Sequence, residues 1–166
     1  MPEAKISFVR SIYDRLFGIH STLGVHDDTM VQSIKADLTR NIARTIECLQ
    51  DEANFALPTV IGPCETWTPV MIYPRVLRIV ALLSGRVFVG LPLCRNEQWI
   101  ETTISYTRDA FTVAATVKKL SPISRYFFAS SLPEVQRIKE HRTNGAKLLK
   151  PLLDERLTAM SNPKYA

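Results

Sequence analysis

The chain is poor in the residues from which metal and nucleophile sites are built, with three cysteines and three histidines among 166 residues. Cys48, Cys64 and Cys94 stand far apart, with no CxxC pair and no cysteine–histidine spacing. That leaves no zinc pattern and, with an odd number, no closed disulfide framework. They read as ordinary thiols of a reducing compartment. His20, His26 and His141 are too dispersed to form a metal site. A Gly-rich phosphate loop, an HExxH helix and a GxSxG elbow are all missing. No apolar run reaches the roughly 20 residues needed to cross a bilayer, and the opening MPEAKI holds no signal or anchor stretch. Charge of one sign is scarce too: the net charge is +5 and the basic residues are scattered. A nucleic-acid footprint would be a clustered basic patch with aromatics for stacking, so nucleic acid is not an expected partner.

What is present suits one globular domain. A chain of 166 residues can bury a real core, and 46% hydrophobic with 22% charged residues argues against disorder. The most apolar run is residues 75–90, RVLRIVALLSGRVFVG, with Pro74 before it and Gly90-Leu91-Pro92 after it. Val76, Leu77, Ile79, Val80, Ala81, Leu82 and Leu83 leave no polar face, and a helix apolar all round belongs in an interior. Residues 86–89 alone fit a buried strand equally well. The expectation is a central core helix with amphipathic neighbours around it.

Ile6, Phe8, Val9, Ile12, Tyr13, Leu16 and Phe17 recur at helical spacing and predict a short helix ending near Gly18. Asp27 and Asp28 are placed to cap the next helix. There Val31, Ile34, Leu38, Ile42, Ile46, Leu49 and Ala53 fall three or four apart, as one long helix or two with a break near Thr39-Asn41. Pro58, Pro63, Pro69 and Pro74 with Gly62 predict an ordered irregular connector over residues 58–74, with Trp67 inserted against the core. Asn96 is an N-cap, opening a helix to about Lys119 with Ile100, Ile104, Thr107, Phe111 and Ala114 on one face. Residues 120–132 read as an apolar loop carrying Arg125-Tyr126-Phe127-Phe128, either buried or dipping into a membrane interface. Ser131-Leu132-Pro133-Glu134 reads as a capping box. The following helix sets Val135, Ile138, Leu149 and Leu152, interrupted at Arg142 and Gly145, against a basic face of Arg137, Lys139, His141, Arg142, Lys147 and Lys150. Residues 158–166 read as frayed. The fold class is all-α.

Residues 84–99, SGRVFVGLPLCRNEQW, resemble a signature of the fungal cytochrome P-450 monooxygenases, in which a helix ending in SxRVFVGxPLxRNxxW precedes one that begins near the Trp. Trp67-Thr68-Pro69-Val70, residues 73–81, Asp37-Leu38-Thr39, Leu49-Gln50-Asp51-Glu52 and Ile104-Ser105-Tyr106-Thr107 fit the same family. The resemblance covers nearly the whole chain and is closest to the branch that oxidises terpenoids and other secondary metabolites, including enzymes similar to ent-kaurene oxidase. It implies a partial helical domain over residues 1–166, and haem, a hydrophobic small-molecule substrate and an NADPH-dependent reductase in a complete enzyme. It also implies that the helix from Asn96 to about Lys119 roofs a substrate cavity, its inward side chains shaping selectivity. His26 and Lys35 are the only candidates for the family's propionate-binding cation, and as lone polar residues they read more simply as solvated.

The chemistry of that family is missing from these residues. Haem-thiolate oxygenation needs an axial cysteinate, which the family presents in an FxxGxxxCxG loop. None of Cys48, Cys64 and Cys94 has that context. The acid-Thr oxygen-activating helix and the ExxR pair are also missing; Glu155-Arg156 is not that pair. The chain therefore reads as an internal slice without its membrane anchor or haem-binding half. The expectations are no catalytic, cofactor-binding or metal-ligating residue, no haem bound by this chain, no hydroxylation by it alone, self-association through uncovered apolar faces, and a location in the cytoplasm or peripheral to the endoplasmic reticulum membrane. The alternatives are a non-catalytic binding or scaffold module and a membrane-surface helical protein.

Overall fold

The computed structural model describes residue 13, residues 16–23 and residues 27–161. Those residues form helices and turns, and no strand occurs among them. The helices are α1 (Gly18–Ser21), α2 (Asp28–Ser33), α3 (Ile42–Ile61), α4 (Ile72–Phe88), α5 (Glu97–Lys119), α6 (Pro122–Phe128) and α7 (Pro133–Met160). The strand alternative for residues 86–89 fails because the backbone stays helical to Phe88. Most of the expected N-terminal helix, Ile6 to Ile12, lies outside the described residues, as does His26.

The expected break falls where the sequence puts it. The Asp27 carboxylate accepts the Thr29 N–H at 2.9 Å and so starts α2. A π-turn over Ile34–Leu38 and a non-helical Asn41 then separate α2 from α3. The connector is shorter than its prolines suggest. Helix α3 runs through Pro58 to Ile61, and α4 already includes Pro74. Pro58 sits in the last turn of α3, where it withholds one N–H from the residue-54 carbonyl and crowds it without ending the helix, and Pro74 falls in the first turn of α4, where its N–H has no partner to lose. Trp67 is fully exposed on the connector, at 105%, and packs on no core.

Helix α5, not α4, is the central element. One core gathers Ala110, Val113 and Val117 of α5 with Ala129 and with Val135 and Ile138 of α7. The other gathers Ala56 of α3, Leu82 of α4 and Ile100 of α5. Each fully buried Val or Ile contributes about 1.5–3 kcal/mol by leaving water, so α5 carries both halves. Helix α4 buries only Leu82 and Gly85, while Val76, Val80 and Phe88 remain exposed. The all-round apolar pattern thus marks a helix with one face left uncovered by these residues.

The segment expected as a loop, 120–132, is helical. Ser121 caps α6 by accepting the Ser124 N–H at 3.2 Å, Pro122 occupies its first turn, and a 3-10 turn follows over Ala129–Ser131. That turn takes Ser131 away from α7, so the capping box does not form, and Leu132 precedes Pro133 without a side-chain cap. Helix α7 continues through Arg142 and Gly145 to Met160, past the expected fraying point.

Candidate apolar groove and buried charge clusters

Helices α4 and α5 enclose a groove of about 740 Å³. Its α4 wall is the row Tyr73, Leu77, Val80, Ser84 and Phe88. Its α5 wall is the row Ile104, Arg108, Phe111, Ala115 and Lys119. Both rows step three or four residues at a time, the spacing that aligns side chains on one helix face. Thr103, Thr107, Thr112 and Thr116 bring hydroxyls to the same wall. Of these, Thr103, Thr107 and Thr112 donate to carbonyls one turn back, at 2.8–3.0 Å. The expected inward face of α5 is therefore split. Ile100, in the second core, and Ala114 are buried, whereas Thr107 and Phe111 line the open groove.

Behind the groove the chain closes tightly. A β-carbon on Gly85 would lie 3.2 Å from the Cys94 β-carbon. Glycine therefore lets the 3-10 turn Leu93–Arg95 fold back on α4. Cys94 is completely buried there. Burial, followed by the nearby Glu52 carboxylate, pushes its thiol above the usual cysteine range. Glu52 on α3 is itself fully buried. It accepts Arg95 Nε at 3.1 Å and Arg95 Nη2 at 3.0 Å, and Arg86 Nε lies 3.9 Å away. The Arg95 guanidinium also stacks 3.7 Å over the Phe55 ring. One carboxylate thus joins α3, α4 and the turn. The Arg78–Glu97 pair at 2.5 Å fastens the start of α5 to α4 on the outside, and Asn96 caps α5 by accepting the Trp99 N–H at 3.1 Å.

A second cluster joins α5 to α7. Asp109 is 6% exposed and accepts Arg137 Nε at 3.1 Å, with His141 Nε2 at 3.0 Å. Burial pushes this carboxyl up, but the hydrogen bonds from His141 and Arg137 outweigh it and hold it below the usual range. His141, read from sequence as part of the basic face of this helix, is half-buried at this joint. Nothing in the sequence announced Glu52 or Asp109 as buried. Each is one acidic residue on a helix face, and the arginine that makes burial tolerable lies 43 or 28 positions away.

No group of three His, Cys, Asp or Glu among the described residues is placed to hold a metal ion. The three cysteines lie in three different settings. Cys94 is sealed as a neutral thiol, Cys64 is exposed on the connector, and Cys48 lies mid-helix on α3. Lys35 is exposed on the π-turn. His20 is held below its ordinary value by burial and then by Arg125. No helix among the described residues is long and apolar enough to cross a membrane.

The chain is 43% identical over 157 residues to cytochrome P-450 monooxygenase ascG of Acremonium egyptiacum, covering 95% of this chain and 29% of that protein. It is 38% identical over 167 residues to a cytochrome P-450 monooxygenase of Botryotinia fuckeliana, covering 99% and 34%. It is 34% identical over 161 residues to cytochrome P-450 monooxygenase braC of Annulohypoxylon truncatum, covering 95% and 31%. Over nearly its whole length the chain is similar to one stretch of the fungal cytochrome P-450 monooxygenases. It spans about a third of the length of these curated P-450 relatives. No protein-family model matches the chain. No solved structure matches it either. The P-450 signature run, residues 84–99, falls on the α4–turn–α5 joint. Its Arg86, Arg95 and Trp99 surround Gly85, Cys94 and Glu52.

Proposed function

We propose that this chain is a single helical domain that serves as the non-metal framework of a haem-thiolate monooxygenase of fungal secondary metabolism, and that it is not catalytic alone. The observation that carries this reading is the 43% identity over 95% of the chain and only 29% of the relative, together with three cysteines of which none stands in the family's FxxGxxxCxG context. In the family the haem supplies the oxidising iron, which acts on a hydrophobic metabolite, a terpenoid being one candidate. No residue of this chain is assigned as a haem ligand. A complete enzyme containing this segment would draw electrons from an NADPH-dependent reductase and lie peripheral to the endoplasmic reticulum membrane or in the cytoplasm.

The test is a chimaera in which this chain replaces the matching stretch of ascG. A soluble chimaera showing the red-shifted Soret band of carbon monoxide on thiolate-ligated haem supports the reading. A folded chimaera without that band overturns it.

A second reading has one observation in its favour. Ile123 and Phe127, one turn apart on α6, are 75% and 66% exposed, which suits insertion of an apolar edge into a lipid interface. Flotation of the chain with anionic vesicles, lost in Ile123→Asp, supports membrane contact. Flotation unchanged by that substitution counts against it.

A further inference from the structure

We infer that the outer face of α7 docks an acidic segment of a partner protein and serves as a tether. The inference goes beyond the P-450 reading and does not depend on it.

The face is built from residues 139–150. Lys139, Thr143, Ala146 and Lys150 follow one another three or four positions apart, and so share one line along the helix. Arg142 and Lys147 fall to either side of that line. All four cations are exposed, and with Thr143 and Ala146 they border a shallow trough of about 570 Å³. The opposite side of α7 meets α5, through Ile138, His141 and Gly145. The trough therefore looks away from the core. The Thr143 hydroxyl already donates to the Lys139 carbonyl at 2.9 Å, and no thiol, imidazole or carboxylate stands on this line. The face is equipped to bind and not to react.

The chain leaves these cations without neutralising partners. Between Glu140 and Asp154, α7 holds no carboxylate. Among the described residues Lys139, Arg142 and Lys147 make no ion pair, and Lys150 pairs with exposed Asp154 at 3.2 Å, a contact that solvent screens. Lys139 with Arg142, and Lys147 with Lys150, are like charges one turn apart, which weakens a helix. An acidic partner relieves both repulsions at once.

Length and composition decide the kind of acid. Lys139 and Lys150 stand about 16 Å apart at 1.5 Å per residue. One phosphate or one carboxylate is too small to touch both ends, whereas a chain of carboxylates spans them. A lipid surface takes large apolar side chains set beside the cations. Here the line between them holds Thr143 and Ala146, and the first exposed large apolar residue of α7, Leu153, comes after Lys150. A single-stranded nucleic acid takes stacking aromatics, and α7 contains no Phe, Tyr or Trp. The surface fits an acidic polypeptide.

The test titrates the chain into a fluorescein-labelled peptide about 12 residues long, with Glu at every third or fourth position and Ala between. Anisotropy is read at about 20 and 150 mM salt. Saturable binding, weaker at the higher salt, is expected. Arg142→Glu with Lys147→Glu is expected to weaken it about tenfold or more. The same change of charge elsewhere, Lys35→Glu with Lys118→Glu, is expected to weaken it by less than about threefold. Arg142→Lys with Lys147→Arg is expected to preserve it, and circular dichroism checks that each variant keeps its helices. No saturable binding by the unmodified chain overturns the inference. Equal loss in the two charge-reversed variants makes net charge the cause and overturns it too. Phosphatidylserine vesicles or an oligothymidylate that bind more tightly than the peptide, and are lost in the Arg142 and Lys147 reversal, make the partner a membrane or a nucleic acid and overturn it. Slower reductase-driven reduction of haem in an ascG chimaera with that reversal makes the partner the electron donor and overturns the tether.

Discussion

Glu52 shows how one residue can organise a joint. It is fully buried, and the guanidiniums of Arg95 and Arg86 are its counter-charges. Arg86 Nε is buried without a hydrogen-bond partner, so the Glu52 charge is what compensates it. Glu52→Gln keeps the shape and removes that charge. The expected loss is about 2–3 kcal/mol in urea unfolding, less than the full cost of breaking a buried pair because Arg95 is partly solvated. A loss near zero would show that the cluster is mere packing.

Asp109 sets a pH dependence. Its folded carboxyl lies below the usual range, so on acidification the unfolded chain takes the proton first. Stability is then present above the unfolded value of about 3.9 and lost as pH falls through the lower folded value. Asp109→Asn is expected to lower stability at neutral pH and to flatten the acid limb of urea midpoints against pH below about pH 4. An unchanged acid limb would contradict this. Neither carboxylate was legible in the sequence as a buried group, because burial depended on arginines distant in the chain.

At the scale of elements, local chemistry was legible where the cap and the helix are neighbours. Asn96 caps α5 and Asp27 caps α2 as their types dictate. Asn96→Ala is expected to lower stability by about 1 kcal/mol, with Asn96→Asp close to wild type, as read by thermal unfolding. The same logic failed at Ser131, where the preceding 3-10 turn had already claimed the serine. At 120–132 the apolar run reads as a loop, whereas the Ser121 cap and Pro122 in the first turn start a short helix there. Pro58 does not end α3, because a single lost N–H is outweighed by the turns already formed before it, and the helix runs on to Ile61.

For the whole molecule, the all-α class and the P-450 resemblance were legible from residues 84–99 and their flanks, and ascG, the Botryotinia fuckeliana enzyme and braC carry the same kinship. Which helix is central was not legible. Apolar periodicity marks what a helix is built to bury, and α4 displays more of that surface than these residues cover. The exposed Val80, Phe88 and Phe111 predict concentration-dependent association of the isolated chain, driven by apolar area left in water. Sedimentation velocity is expected to show species larger than a monomer that dissociate when Val80→Lys and Phe111→Lys are combined. A single monomeric boundary for the unmodified chain over a wide concentration range would contradict that expectation.

The most direct measurement of the central claim, that this P-450-like chain carries framework but no iron ligand, is the carbon monoxide difference spectrum of the purified chain after haem addition and reduction. The expected result is no red-shifted thiolate Soret band, at any haem ratio and with Cys48, Cys64 and Cys94 intact. A stoichiometric thiolate band abolished by replacing one of those three cysteines would contradict the account and make that cysteine an axial ligand.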